Sequence, residues 1–348
     1  KAGAAYVPIA TDAPEERLRF MLDDATPSLL LTDASRPAAE AFDVVAVRLD
    51  ALTDALAAQS EANADDAMPS SQPAYIIYTS GTSGQPKGVL VSHRNLANFC
   101  FWCRDAGFTA SGMRMTQFAP YTFDASAGEI FAALLVGAEL HLLDGATIQD
   151  PARLQTYMRA QAIGFSALPP AYLQQMDPAL APEGFRLLTA GSAPTPELAR
   201  AWARRGLYLN GYGPTETTIL STAADLGADL SEESERITIG RPIANTHLYL
   251  LDERMQPVPV GAIGEIWIGG EGVALGYWNQ PALTAERFFD DPFAGTIGAR
   301  IYRTGDLGRW RPNGRVEFVG RNDFQVKIRG FRIELGEIEA ALRACDGV

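Results

Sequence analysis

A short segment rich in glycine and hydroxyl residues carries the strongest chemical signal in the sequence. Residues 74–88 read AYIIYTSGTSGQPKG, an apolar strand followed at once by a loop and a lysine. Glycines let backbone N–H groups approach an anion, hydroxyls add donors, and a lysine adds positive charge. A Ser/Gly linker would not follow a buried strand so directly. The segment therefore predicts a phosphate-binding loop formed by Thr79, Ser80, Gly81, Thr82, Ser83, Gly84 and Lys87.

This loop differs from the two common nucleotide-binding motifs. Lys87 lies six residues after Gly81, as a Walker A loop requires, but Pro86 replaces the second glycine and Gly88 replaces the Ser or Thr. Residues 270–276 have one residue too many for the GxGxxG pattern of dinucleotide-binding folds. Both of those classes are therefore unsupported.

Five segments together resemble the adenylate-forming superfamily, which includes adenylation domains of nonribosomal peptide synthetases, acyl-CoA ligases and luciferases. The phosphate loop is the first of them. The others are an adenine and metal segment (209–217, LNGYGPTET), a structural motif (264–277), a ribose motif (302–307, YRTGDL) and a hinge (320–330, GRNDFQVKIRG). Their order and spacing agree over essentially the whole chain, which is identified as a member of this superfamily.

The resemblance implies roles that suit the residue types. Tyr212 offers an aromatic wall for adenine, Asp306 can accept both ribose hydroxyls, and Glu216 offers a hard oxygen to Mg²⁺. Thr215 and Lys87 are expected to be catalytic, and Asp323 is expected to be the hinge. Each residue alone would more often be structural. The full set expected to bind ATP is Thr79, Ser80, Gly81, Thr82, Ser83, Gly84, Lys87, Gly191, Asn210, Gly211, Tyr212, Gly213, Thr215, Asp306 and Arg321.

One acidic residue selects a branch of the superfamily. Residues 122–126 (TFDAS) resemble the synthetase motif in which an aspartate, here Asp124, binds the α-ammonium group of an amino acid. A carboxylate in a pocket needs a cation, because a buried unpaired charge is costly. Acyl- and aryl-CoA ligases generally lack an acid at this place. The alternative is that Asp124 is the N-cap of a helix spanning residues 129–135.

The resemblance also maps the pocket for the substrate's side chain. After Asp124, its residues carry neither charge nor amide, and several are small. The pattern predicts a roomy apolar pocket and an uncharged, large apolar substrate, with an aromatic amino acid favoured. The expected walls are Asp124, Ala125, Gly128, Ala167, Leu188, Ala190, Gly211, Ile219 and Leu220.

Alternating helix and strand patterns predict an α/β fold. Residues 29–31 and 44–47 are typical of buried strands, and Thr195 is expected to cap a helix that ends at Gly206. The resemblance implies a large adenylate-forming subdomain of β-sheets flanked by helices plus a small β-barrel-like region, over 1–322. The start of a small C-terminal α+β subdomain is expected over 323–348. The chain is expected to be truncated at both ends and to lack the family's C-terminal catalytic lysine, which would impair it.

Composition excludes several partners. The 348 residues carry a net charge of −13 without a basic stripe, which argues against nucleic-acid binding. An apolar run long enough to span a membrane is missing from the sequence. Three cysteines suit the cytoplasm, the CxxC of Cys100 and Cys103 is expected to be helix packing, and the three histidines are expected to be structural.

The predicted reaction activates an amino acid with Mg·ATP to aminoacyl-AMP, releasing pyrophosphate. The family then transfers the acyl group to the phosphopantetheine thiol of a peptidyl carrier domain, and a condensation domain is expected in the same assembly line. One rival function is an acyl-CoA or aryl-acid ligase. Another is a nucleotide-binding fragment without turnover.

Overall fold

A computed structural model describes residues 3–34, 42–62, 68–81, 85–230, 236–323, 325–328, 331–333, 338–339, 342 and 345. These residues form ten α-helices, nineteen strands and a few short 3-10 turns. The mixed α/β class predicted from the sequence is confirmed.

The largest sheet has seven strands in the order β11-β10-β9-β8-β7-β5-β6. Five of them are parallel: β5 (Arg114–Gln117), β6 (Glu139–Leu142), β7 (Phe165–Ala167), β8 (Arg186–Thr189) and β9 (Tyr208–Tyr212). Two antiparallel strands complete it, β10 (Thr222–Asp225) and β11 (Arg241–Pro242). Parallel strands need crossover connections, which here include the helices α4 (Asp124–Leu134), α5 (Gly145–Gln149), α6 (Pro151–Ala160), α7 (Pro170–Leu173) and α8 (Pro196–Ala203).

Two antiparallel sheets flank this one. The three-stranded sheet contains β3 (Pro73–Thr79), β4 (Lys87–Ser92) and the two-residue strand β14 (Gly276–Tyr277). The five-stranded sheet consists of β12 (Thr246–Leu251), β13 (Ile263–Gly270), β15 (Phe288–Asp290), β16 (Arg300–Trp310) and β17 (Val316–Arg321). A hairpin of β18 (Val326–Ile328) and β19 (Phe331–Ile333) follows.

Helix α3 (His93–Asp105) joins the sheets at the main core. Ser92 caps it in a reciprocal arrangement with Asn95, which satisfies otherwise unpaired backbone N–H groups. Its apolar face places Phe99, Cys100 and Cys103 among buried residues of β3, β4 and β5. The CxxC pair therefore packs in the core, as expected.

One local prediction, the end of the helix that follows Thr195, was wrong. Thr195 does cap α8 by accepting from Leu198 N, but the helix ends at Ala203 and its C-cap is Arg204. Gly206 is instead needed for close backbone approach, because an added Cβ would lie 2.1 Å from the carbonyl oxygen of Phe185.

The two early strands are shorter and more exposed than their apolar composition predicts. β1 (Leu30–Thr32) and β2 (Ala46–Arg48) pair only with each other, in a parallel two-stranded sheet of the described chain. Leu31 is 57% exposed and Val45, next to β2, is 66% exposed. The remaining helices are α1 (Glu15–Ala25), α2 (Thr53–Ala57), α9 (Leu226–Asp229) and α10 (Pro281–Arg287).

Candidate active site

A cavity of about 870 Å³ opens at the carboxyl ends of the parallel strands. Its wall includes Leu168 after β7, Gly191 after β8 and Thr215 after β9. Crevices at this edge are where open α/β sheets commonly bind ligands. The segments that the sequence singled out after β8 and β9 therefore meet at one opening.

Asp124 is the first residue of α4 and lies on the wall of this cavity, half-buried. The N-cap of α4 is Phe123, so the alternative in which Asp124 caps the helix is wrong. Burial first, and the charge of Asp124 second, raise the pKa of Tyr6 to about 12. The same two causes raise the pKa of Tyr75. The field of Asp124 thus opposes negative charge nearby and favours a cation.

The walls mapped for the substrate's side chain lie together, with one exception. The residues on the cavity wall are Asp124, Ala125, Gly128, Ala167, Leu188, Ala190, Ile219 and Leu220. Gly211 is not among the described residues that line it. A Cβ on Gly211 would lie 2.6 Å from Leu220 Cδ2, so the Leu220 side chain covers that position.

Part of the apolar wall was missed by the sequence mapping. The inward face of α3, the segment after it and strands β5 and β7 supply Phe99, Trp102, Cys103, Phe108, Met115 and Phe165. The spacing of Phe99, Trp102 and Cys103 along α3 was the available signal, because residues three and four apart share a helix face. Four of these six side chains are aromatic, which makes this part of the wall predominantly apolar.

The residues expected to bind ATP fall into three groups. Thr79, Ser80, Gly191, Gly213, Thr215, Asp306 and Arg321 line the same cavity as Asp124. Gly81, Lys87, Asn210, Gly211 and Tyr212 are not among its described lining residues. Thr82, Ser83 and Gly84 lie outside the described residues. A Cβ on Gly81 would lie 2.0 Å from the Gln85 carbonyl oxygen, so the loop closes tightly where glycine stands.

Lys87 and Glu216 meet in a buried ion pair, and neither is among the described residues that line the cavity. The Lys87 Nζ atom lies 3.2 Å from Glu216 Oε1, and both side chains are buried. Tyr277 touches both of them: its hydroxyl accepts from Lys87 Nζ at 3.1 Å and donates to Glu216 Oε1 at 2.8 Å. The sequence treated the segment containing Tyr277 as structural only.

Asp306 and Asp323 share one guanidinium group. Arg321 contacts Asp306 Oδ1 and makes two bonds of 2.6 Å to the Asp323 carboxylate. Burial alone would raise the pKa of Asp323, but the hydrogen bonds and charge of Arg321 outweigh it and lower that pKa. Arg321 thereby links Asp306, which is expected to bind ribose, to Asp323, which is the expected hinge.

Tyr212 and Asn210 are engaged inside the fold. The Tyr212 hydroxyl donates to Asp306 Oδ2 at 2.5 Å, and burial, followed by the charge of Asp306, raises the pKa of Tyr212 well above its ordinary value. Asn210 Nδ2 donates to the carbonyl oxygen of Thr238 at 3.1 Å. These contacts fix β9 at the edge of the site.

Comparison with known proteins supplies the decisive observation. Residues 1–278 match the family described as AMP-binding enzyme. The chain is 44% identical to tyrocidine synthase 2 of Brevibacillus parabrevis over 349 aligned positions, covering 100% of this chain and 10% of that protein. The chain belongs to the AMP-binding enzyme family.

Solved structures narrow the class to adenylation domains of nonribosomal peptide synthetases. A four-domain synthetase bound to AMP and glycine superposes with a TM-score of 0.79 and 36% identity, over 99% of this chain and 26% of that chain. An artificially fused adenylation–PCP di-domain from Klebsiella oxytoca gives 0.86 and 30%, over 99% and 69%. This chain is similar to the adenylation domains of these synthetases, and it spans a small part of the multidomain synthetases it matches.

A buried carboxylate that the sequence did not single out supports the adenylation domain's substrate wall. Glu129 Oε2 accepts from the backbone N–H groups of Phe118 and Ala119, both at 3.0 Å. Burial raises the pKa of Glu129 to about 8, although these two bonds act to lower it. Glu129 therefore ties α4 to the segment that leads into Asp124.

Among the described helices of the domain, none combines the length and apolar character that crossing a bilayer requires. His141, one of the three histidines, lies against the Tyr157 hydroxyl at 2.8 Å, away from the site. In the described part of the chain, groups of three or more His, Cys, Asp or Glu side chains that could hold a metal do not occur.

Proposed function

We propose that this domain activates an amino acid with ATP, forming aminoacyl-AMP and pyrophosphate. The observation that carries the proposal is that one cavity is lined by the Asp124 carboxylate and by Thr215, Asp306 and Gly191 of the expected nucleotide site. An amino acid held by its ammonium group at Asp124 can direct its carboxylate towards a nucleotide held at the other side.

The reaction needs positioning and charge stabilisation more than acid–base chemistry. A carboxylate oxygen of the substrate bonds to the α-phosphorus of ATP, and the bond from that phosphorus to the pyrophosphate oxygen breaks. We assign Thr215 as a donor to the α-phosphate and Asp306 as an acceptor from the ribose hydroxyls. Preorganised donors and fixed geometry are the usual sources of rate in such displacements.

Glu216 fits the role of Mg²⁺ ligand. Mg²⁺ is typically bound by one or two carboxylates together with substrate phosphates, so a single protein carboxylate suffices. The Glu216 side chain is buried and held at one oxygen by Lys87 and Tyr277. When bound, Mg²⁺ supplies neutralisation of phosphate charge, while Glu216 and Lys87 would orient the metal and the phosphates.

The preferred substrate is an uncharged, large apolar amino acid, with an aromatic one favoured. The cavity's interior wall is built from Phe99, Trp102, Phe108 and Phe165, and the small residue Ala167 on that wall leaves room for bulk. A substrate side chain with a charge would lose hydration against these apolar side chains.

The proposed acceptor is the phosphopantetheine thiol of a peptidyl carrier domain, with a condensation domain in the same assembly line. Support comes from the fused adenylation–PCP neighbour and from the hinge candidate Asp323. We propose residues 1–322 as the large subdomain and 323–348 as the start of the small one. Cys100, Cys103 and Cys345 are not in disulfides, which suits the cytoplasmic location that we propose.

Pyrophosphate exchange tests the proposal. The protein in its full natural length is incubated with ATP, labelled pyrophosphate and a panel of acids. Exchange driven by phenylalanine, tyrosine, tryptophan or leucine is expected, with much less from lysine, glutamate or glycine. Exchange driven equally by phenylacetate or fatty acids would favour an acyl- or aryl-acid ligase. Nucleotide binding without any exchange would favour a binding fragment.

A further inference from the structure

Tyr277 is held rigidly at a point where three distant segments meet. It ends the two-residue strand β14, which pairs with β4 so that Tyr277 lies opposite Val89. Its backbone N–H donates to Thr284 Oγ1 at 3.0 Å, and its buried ring packs edge-on against Phe288 with centroids 5.4 Å apart. The position of the ring therefore does not depend on its hydroxyl group.

The hydroxyl of Tyr277 is bonded to both members of the buried ion pair. A phenol has one proton to donate and lone pairs to accept with. The proton goes to Glu216 Oε1 at 2.8 Å, and a lone pair receives Lys87 Nζ at 3.1 Å. The Lys87 ammonium also lies 4.5 Å from the centre of the Tyr277 ring, within cation–π range.

These contacts bear on function because buried ion pairs need further hydrogen bonds to hold one geometry. Lys87 ends the phosphate loop, and Glu216 follows β9, so the two arrive from different sheets. The hydroxyl is the group that bridges them. Without the Tyr277 hydroxyl, Lys87 and Glu216 would remain paired at 3.2 Å, but each would lose its hydrogen bond to Tyr277.

We propose, on the basis of the ATP-dependent function above, that Tyr277 is a positioning residue: its hydroxyl orients Glu216 towards Mg²⁺ and Lys87 towards the nucleotide's phosphates. Tyr277 does not itself contact the reacting atoms. Removal of such an outer partner of a metal ligand commonly costs roughly 10- to 100-fold in metal affinity.

The test is equilibrium binding to the full-length protein by calorimetry, with no amino acid present. Tyr277→Phe keeps the ring and removes the hydroxyl. We expect it to weaken Mg·ATP binding about 10-fold while AMP, measured without metal, binds within about twofold of wild type. The matched control is Tyr249→Phe, whose hydroxyl donates to the Asp291 carboxylate at 3.3 Å outside this cluster. It should change neither affinity.

A second comparison tests whether the effect passes through Glu216. In a Glu216→Gln background, Tyr277→Phe should cause little additional loss of Mg·ATP affinity, because the carboxylate it orients is gone. Fully additive losses, an equal fall in AMP affinity, an unchanged Mg·ATP affinity, or failure of Tyr277→Phe to fold would each overturn the assignment. If the wild-type protein binds Mg·ATP but no amino acid or other carboxylic acid drives pyrophosphate exchange, the proposed function is wrong. The role of Tyr277 can still be judged in that case, because its test measures only Mg·ATP and AMP affinities.

Discussion

At the scale of a single residue, Asp124 is the side chain that we propose sets the chemical class of the substrate. It is an ionisable side chain on a wall otherwise built largely from apolar groups, and its charge is felt by Tyr6 and Tyr75. The sequence could identify this residue because its type and neighbours match a family motif. It could not show that Phe123, not Asp124, is the helix cap, because the choice between adjacent caps depends on backbone dihedral angles.

Replacing Asp124 by Asn removes the charge and keeps the shape. We expect kcat/KM for the amino acid to fall about 100-fold, since a charged partner of a buried ammonium group is worth ~2–3 kcal/mol. ATP affinity should be nearly unchanged. Pyrophosphate exchange and nucleotide titration measure the two quantities, with the exposed Asp12→Asn as control. An unchanged kcat/KM would contradict the assigned contact.

Glu129 makes the stability of the domain depend on pH. In the folded chain its carboxyl group keeps its proton up to about pH 8, whereas its ordinary pKa is 4.5. Between these values the unfolded state is ionised and the folded state is not, so the folded state loses stability as pH rises from about 4.5 to about 8.

Glu129→Gln removes this titration and retains an oxygen for the N–H groups of Phe118 and Ala119. The variant should match wild type in urea unfolding near pH 5 and exceed it near pH 8. The exposed Glu253→Gln is the control. A difference between Glu129→Gln and wild type that stays constant with pH would show that Glu129 is not protonated in the folded chain.

At the scale of elements, α3 and α4 are packed against each other where the cavity begins. A Cβ on Gly128 of α4 would lie 2.9 Å from Phe99 Cε1 of α3 and 3.2 Å from Ile219 Cδ1. The sequence placed the CxxC of α3 in a helix, considered a helix over 129–135, and counted Gly128 among the walls of a roomy pocket. It could not predict that Phe99 fills the space beside that glycine, because the partner face of a helix depends on tertiary packing.

Gly128→Ala should therefore destabilise the domain despite the higher helix propensity of alanine. We expect a loss of about 1–3 kcal/mol from overpacking, partly restored by Phe99→Leu in the same chain. Gly145→Ala is the matched control, since nothing lies within 4 Å of its added Cβ. Urea unfolding of the four variants, including the double one, measures this. Equal behaviour of the two alanine variants would show that the contact is not tight.

At the scale of the whole molecule, the site is assembled from residues far apart in sequence. Lys87 and Tyr277 are 190 positions apart, and they meet because a two-residue strand pairs with β4. So short a strand has no readable pattern, which is why the sequence missed Tyr277. Motif order predicted the class of fold, and among the residues it singled out, Asp124, Thr215 and Asp306 line one cavity. Distances, shared partners such as Arg321 between Asp306 and Asp323, and the exposure of β1 and β2 required the three-dimensional arrangement.

The two buried thiols of α3, Cys100 and Cys103, can report local unfolding of the domain through their reactivity. Burial raises the pKa of Cys100 to about 12 and that of Cys103 well above its ordinary value. Alkylating reagents attack the thiolate, so these two cysteines should react only when α3 leaves the core, whereas the exposed Cys345 should react at once.

Timed pulses of iodoacetamide followed by mass spectrometry would follow this reaction without any introduced label. One rapid modification and two slow ones are expected, and the slow pair should accelerate with added urea. Rapid modification of all three in native buffer would mean that the core is open. Cys103 also lies on the wall of the cavity, so an amino acid that occupies the cavity should slow its alkylation. The labelling rate of this one cysteine therefore depends both on local unfolding of α3 and on binding of the amino acid.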